Sequence, residues 1–132
     1  MAQARFICRS ARLRPVRTGV PLWRLVGANN RELGRAPAVV PNDLTCAAAI
    51  LRLKAKLPGS STRVKLAALD SSSWTWSVEC DGEVLAVSGR PYLRQRECQY
   101  SLWQFLAAVP IAVVVDEPGR RLDHGIEEVS SL

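Results

Sequence analysis

The sequence predicts an α+β fold in which two tandem β-β-β-α repeats form one antiparallel sheet, with two helices on one face and an extra C-terminal strand. Three observations predict it. An offset of 52 positions relates the two halves: Leu33 matches Leu85, Cys46 matches Cys98, Ile50 matches Leu102, Leu53 matches Phe105, Ala55 matches Ala107, Leu57 matches Val109 and Pro58 matches Pro110. Upstream the offset becomes 53, pairing Trp23 with Trp76 and Leu13 with Leu66, as one extra residue in the first hairpin requires. Within each half, short runs punctuated by turn residues precede one segment of helical apolar spacing, and a period of about 50 residues marks a repeated supersecondary unit.

The first repeat begins with a basic, partly alternating strand over residues 9–16, loosened by Pro15 and Gly19. A second strand runs over 22–28. Asn29 and Asn30 make the turn, because asparagine tolerates the left-handed conformation that tight turns need. A third strand runs over 32–36 and stops at Pro37. Asn42 or Asp43 is expected to cap a helix reaching about Leu57, its apolar stripe being Cys46, Ala49, Ile50, Leu53 and Leu57. In the second repeat, 63–69 is a strand, 70–73 a loop and 74–80 a strand. Asp81 and Gly82 form a two-residue hairpin turn. Residues 83–88 return, and a helix over 94–109 buries Cys98, Ser101, Leu102, Phe105 and Val109. The β-branched run 111–115 is the last strand.

The predicted core is Trp23, Leu25, Leu33, Cys46, Ile50, Leu53, Trp76, Leu85, Cys98, Leu102 and Phe105. Residues 1–117 form one domain, with repeats at about 10–58 and 63–115. Residues 118–132 read as a polar, flexible tail, although Leu122, Ile126 and Val129 have helix-like spacing.

The net charge of +6 conceals an asymmetry. Residues 1–66 hold 13 basic and two acidic side chains, and residues 67–132 hold five and ten. Such a basic half fits an acidic partner such as nucleic acid, through Arg5, Arg9, Arg12, Arg14, Arg17, Arg52, Lys54 and Lys56. The competing reading is that the halves attract each other, or that the charges are solvated. Arg52, Lys54 and Lys56 also suit the negative end of a helix dipole. No apolar run is long enough for a membrane span. The N-terminal segment has no secretory apolar core, and its arginine-rich, acid-poor character imitates a mitochondrial presequence but leads straight into the first repeat. The default expectation is the cytoplasm.

Cys8, Cys46, Cys80 and Cys98 are widely spaced and contain no C-x-x-C, so no zinc site is expected. Cys46 and Cys98 hold matching places on the apolar helix faces and are expected to be small buried hydrophobes. A bridge between them would need Cα atoms within about 7 Å and is not expected.

The run from Trp23 to Leu33, with its strand, Gly-Ala-Asn-Asn turn and acidic-apolar return, resembles that of YegP-like proteins. In the helices, Asn42 takes the family's cap position, Ala49-Ile50 its Gly-Ile pair and Leu53 its valine. In the second repeat Tyr92 is the family's aromatic, Ser101-Leu102 the pair and Phe105 the valine. The resemblance covers about residues 10–115. Val40, Asn30, Ala36-Pro37 and Ser88-Gly89 depart from the family pattern, so the chain looks like a divergent member. The resemblance implies a single sheet made from two repeats or two subunits, with terminal strands exchanged between halves. It implies no catalytic or cofactor residues.

Little in the sequence points to chemistry. His124 is the only histidine and lies in the tail. Phosphate-binding and nucleophile-elbow motifs are absent. Glu79, Asp81 and Glu83 cluster at one hairpin, where a solvated tip is the simpler reading than a metal or acid–base site. The acidic neighbours of Cys80 argue against a reactive thiol. Trp74, Trp76, Tyr92, Tyr100 and Trp103 could stack on bases, but their area favours the core. Tyr100 and Trp103 fall off the buried helix stripe, which marks a protein interface. The expectation is therefore a non-enzymatic interaction module without cofactor or metal. Its partner would be another protein or a second copy, with low-specificity nucleic-acid binding as the alternative and a small enzyme ranked last.

Overall fold

The computed structural model describes residues 3–8, 21–38, 45–67 and 72–116. The elements are β1 (Arg5–Cys8), β2 (Trp23–Val26), β3 (Glu32–Arg35), α1 (Cys46–Lys56), β4 (Ser61–Leu66), β5 (Trp74–Cys80), β6 (Glu83–Val87), α2 (Gln95–Ala108) and β7 (Val113–Asp116). The order β-β-β-α thus occurs twice before the last strand. The seven strands of the described residues join one sheet in the order β4-β5-β6-β3-β2-β1-β7. Neighbours are antiparallel except β7, which lies parallel to β1, so the C-terminal strand makes the sheet mixed. A parallel neighbour needs a crossover, and here almost the whole chain separates the two.

The two hairpins show why the sequence offset changes. Asp81 and Gly82 both have positive φ, at 53° and 80°, as a two-residue turn with the favoured twist requires. In the first hairpin Gly27 N donates to Arg31 O and Asn30 N to Gly27 O, each at 2.9 Å. This leaves a three-residue loop, 28–30, with Asn30 left-handed at φ 66°. That loop contains the extra residue. Both hairpins also carry a bulge at the matched position. Leu25 faces Gly34 while Val26 faces Glu32, leaving Leu33 unopposed. Val78 faces Ala86 while Glu79 faces Val84, leaving Leu85 unopposed.

The joint between the two halves of the sheet is thin. β3 and β6 share one registered pair, Arg35 and Val87. The core makes the stronger connection. Side chains of both helices enter one buried cluster with Phe6, Cys8, Trp23, Leu25, Trp76, Val78, Leu85 and Ala86, so both helices cover the same face. Phe105 lies between the matched tryptophans, 6.3 Å from the Trp23 ring and 4.8 Å from the Trp76 ring. Gly34 makes room for this contact. A Cβ there would lie 2.6 Å from Phe105 Cδ1 and 2.7 Å from Trp76 Cη2, too close for any side chain. Every predicted core residue is buried or packed against the cluster, Leu33 and Cys46 being the two that are partly exposed.

Several boundaries differ from the sequence reading. The first strand is Arg5–Cys8, ahead of the expected 9–16, which lies outside the described residues. Leu66 sits opposite Trp74, while its proposed match Leu13 is also outside them. Val64 faces Trp76 as Cys8 faces Trp23, so Cys8 and Val64 are the positions that correspond. The connection between β1 and β2 spans 9–22 and that between β4 and β5 only 67–73, which no constant offset can follow. Thr45 caps α1, its Oγ1 accepting from Ala48 N at 3.1 Å. The expected caps Asn42 and Asp43 lie outside the described residues, and so does the tail.

The cysteine reading also changes. Cys46 is bonded to Cys8, with Cα atoms 5.9 Å apart, so it is a crosslink between α1 and β1 and not a free buried hydrophobe. Its match Cys98 is free and fully buried. The second half has no bridge because Val64 stands where Cys8 stands in the first. Val64→Cys is therefore expected to bridge spontaneously to Cys98. Mass spectrometry after alkylation should find one free thiol, Cys80, in place of two.

Candidate functional site

Among the described residues the chemistry-bearing side chains do not gather at one place. The outward side of α2 carries the most exposed aromatics. Tyr100 and Trp103 are one helical turn apart and 60% and 61% exposed. Arg96, Gln104 and Ala107 are exposed with them, as a 3.6-residue period places them opposite the stripe Cys98, Leu102 and Phe105. In α1 the position matching Trp103 is Leu51, which is 59% exposed. Outward from the core, α1 therefore turns one large apolar side chain and α2 turns two.

The other aromatics do not join Tyr100 and Trp103. Trp76 and Tyr92 are buried and Trp74 is packed against the core, so the five do not make a stacking platform. Trp76 and Tyr92 are held by a buried hydroxyl instead. Trp76 Nε1 donates to Ser101 Oγ at 3.2 Å, and Tyr92 Oη donates to the same oxygen at 2.8 Å. Ser101 takes the helix position matched by Ala49 and satisfies two polar groups that burial would otherwise leave unpaired.

The cations of α1 are engaged within the chain. Arg52 donates to both Glu83 oxygens, at 2.7 and 3.2 Å, and Lys56 approaches Glu83 Oε1 at 3.4 Å. Lys54 donates to Ala112 O at 2.9 Å, with its Nζ 5.7 Å from the centre of the Phe6 ring. Arg5 donates to Asn30 Oδ1 at 2.6 Å. These four were expected phosphate contacts. Arg9, Arg12, Arg14 and Arg17 lie outside the described residues. The Arg52–Glu83–Lys56 group joins a basic first half to an acidic second half, which is the attraction between halves that the charge asymmetry suggested.

That group has a pH signature. The Arg52 hydrogen bond, aided by Lys56 against the cost of desolvation, holds the Glu83 carboxyl below its ordinary value. Arg52 is correspondingly raised, first by its hydrogen bond to Glu83. A depressed carboxyl stabilises the fold above its unfolded pKa and loses that contribution as pH falls through the folded value. Glu83→Gln is expected to flatten the acid limb of a stability-against-pH profile while leaving its shape above neutrality unchanged, as urea melts from pH 2 to 8 would show.

The open face of the sheet, opposite the helices, carries charges the sequence reading did not single out. Arg63, Ser77, Val87, Arg35, Arg24, Ile7 and Val115 are successive cross-strand neighbours, so one row crosses all seven strands. Arg24 stands directly opposite Arg35, a placement that costs energy unless a counter-charge intervenes. Glu32 supplies it. Its Oε2 accepts from Arg35 Nε at 2.8 Å, and its Oε1 lies 3.6 Å from Arg24 Nη1. The carboxylate rests against Gly89, where any Cβ would overlap it.

The hairpin acids do not converge. Glu79 faces Arg63 on the open face at 3.8 Å, and Glu83 turns to α1. The two-residue turn separates them, because it sets Glu83 opposite Cys80, which alternation puts on the other face from Glu79. Among the described residues no cluster of three or more histidine, cysteine or carboxylate side chains is placed to hold a metal ion. His124 is outside them. Cys80 Sγ lies 3.8 Å from Asp81 Oδ2, and burial pushes the Cys98 thiol up. No helix among the described residues is long and apolar enough to cross a membrane.

No family model matches the chain, and no curated protein is detectably similar in sequence. The fold does have a solved counterpart. The solution structure of YegP from E. coli, a protein of unknown function, superposes with a TM-score of 0.62 at 10% identity, covering 88% of this chain and 94% of that one. At that identity the likeness concerns the fold alone, and the chain has a YegP-like α+β fold.

Proposed function

We propose that the protein is a non-catalytic interaction module, built from two diverged copies of one β-β-β-α unit, that associates with a second copy of itself through the outward helix surface. The observation that carries this is the pair Tyr100 and Trp103, each about 60% exposed, in a chain that buries Phe6, Trp23, Trp76 and Phe105 almost completely. Aromatic side chains are enriched at interface centres, where they anchor binding. Exposed Leu51 at the matched place in α1 favours a self-partner. A surface presenting the same kind of side chain from two matched helices suits the self-complementary contact of a two-fold dimer. The non-catalytic part is supported by how the candidate groups are spent: Glu79 and Glu83 on separate cations, the Cys98 thiol in the core.

Sedimentation equilibrium from micromolar to near-millimolar protein tests it. The wild type should pass from monomer to dimer, and Trp103→Ala should remain monomeric with an unchanged melting temperature. A wild type that stays monomeric throughout sinks the proposal. Nucleic-acid binding would rest on Arg9, Arg12, Arg14 and Arg17, since the other four candidate cations are engaged internally. Binding to DNA or RNA that steepens at low salt and is lost when those four become glutamine would restore that reading.

The Cys8–Cys46 bridge bears on location. Disulfides persist in oxidising compartments and are rare in a reducing cytosol. We propose that the chain works where the bridge is maintained, in place of the cytoplasmic expectation. Rapid alkylation of cells before lysis distinguishes the two: Cys8 and Cys46 protected for an oxidising compartment, all four cysteines labelled after denaturation for the cytosol.

A further inference from the structure

The sheet has two outer positions, and the structure fills one of them. At one end β7 lies parallel to β1, with Phe6 opposite Val114 and Cys8 opposite Asp116. At the other end β4 is the last strand. The two positions are geometrically alike. Cys8 faces Trp23 and Val64 faces Trp76, so Phe6 and Cys8 of β1 correspond to Thr62 and Val64 of β4.

The main-chain groups agree. Val113 N donates to Ala4 O, so Ala4, and with it Phe6 and Cys8, turn their main-chain groups toward β7. On β4, Ala67 N donates to Ser73 O at 2.7 Å, so the odd-numbered residues 61, 63 and 65 direct theirs at β5. Thr62, Val64 and Leu66 then direct theirs outward, and among the described residues no strand lies beside them.

We propose that the outer edge of β4 receives an extended segment of another protein, parallel to β4, as β7 lies parallel to β1. Strand addition of this kind takes its affinity from main-chain hydrogen bonds and its specificity from alternating side chains. The filled position specifies the pattern: β7 is Val-Val-Val-Asp, with buried Val114 turned to the helix side. β4 itself adds a charge requirement. It carries Arg63 and Lys65 and no acidic residue. Basic side chains on an edge discourage basic or identical strands, and here they select an acidic one. On the register of β1 with β7, the place matching Val114 meets Thr62 on the helix side, and the place after the one matching Asp116 meets Lys65 on the open face. The segment is therefore β-branched at its centre and bears a carboxylate at its C-terminal end opposite Lys65. This edge is distinct from the aromatic side of α2, so the two proposals fail separately.

The probe is a synthetic peptide of residues 111–117 (Ile-Ala-Val-Val-Val-Asp-Glu), added to the full-length oxidised protein. Amide exchange by NMR should show Thr62, Val64 and Leu66 slowed by about tenfold or more, and a peptide with lysine for both acids should bind about tenfold more weakly. Thr62→Pro removes one outward donor without touching the β4–β5 bonds, since proline is accepted on an edge strand whose N–H faces solvent. It should weaken binding while leaving the melting temperature unchanged. Unchanged exchange at those three amides with millimolar peptide overturns the proposal. So does protection at β1 alone, which would mean displacement of β7, or equal binding of the lysine peptide.

Discussion

Phe105→Ala is expected to destabilise the fold by about 3–5 kcal/mol, the usual cost of emptying a buried aromatic site. The position concentrates three losses. Its ring lies between Trp23 and Trp76, which belong to different halves of the chain. It fills the space above Gly34, where no side chain exists to collapse into the cavity. It also supports a joint that the sheet makes with a single registered pair, Arg35 and Val87. Against a total of roughly 5–15 kcal/mol for an ordinary domain, this is a large fraction. Urea melts followed by tryptophan fluorescence measure it, and Phe105→Leu, which keeps most of the volume, should cost under about 1.5 kcal/mol. If alanine costs no more than leucine, Phe105 is not the keystone described here.

Removing the Cys8–Cys46 bridge has the second large effect. The cysteines are 38 residues apart in sequence, and chain-entropy theory for a loop of that length gives about 4 kcal/mol of stabilisation at 25 °C. Cys8→Ala combined with Cys46→Ala should lower the urea midpoint accordingly. A reducing agent should shift the wild type by a similar amount and leave the double variant where it is. Because the bridge ties β1 to the first turn of α1, hydrogen exchange in the reduced protein should rise first in those two elements. An unchanged midpoint on reduction would show that the crosslink constrains nothing the core does not already hold.

Legibility in the sequence followed the range of the interaction. Strand β5, the Asp81-Gly82 turn and the buried stripe Ile50–Leu53 matched by Leu102–Phe105 depend on neighbours a few residues away, and the pattern shows them directly. The extra residue of the first hairpin was also readable, because an offset counts residues. The first strand was not. A basic run after Cys8 looked more strand-like than the four residues Arg5–Cys8, whose partners β2 and β7 come much later in the chain. The Cys8–Cys46 pairing depends on that strand's position, and connectivity is not deducible from spacing alone. The Arg24–Glu32–Arg35 clamp depends on cross-strand register, and the Arg52–Glu83 link on how α1 lies against β6. Neither leaves a trace in local periodicity. Tyr100 and Trp103 were found because they broke the helical stripe, and both are exposed.

The parallel pairing of β1 with β7 also sets a timetable. Arg5 faces Val113 across 108 residues of chain. At about 5–20 residues per second of synthesis, the outer edge of β1 waits roughly 5–20 s for its neighbour to be made. During that interval Phe6 and Cys8 lack the strand that later lies beside them, and an open strand edge is a template for wrong pairing. The N-terminal half of the nascent chain is thus the part most in need of a chaperone, and it is completed by a strand translated more than a hundred residues later.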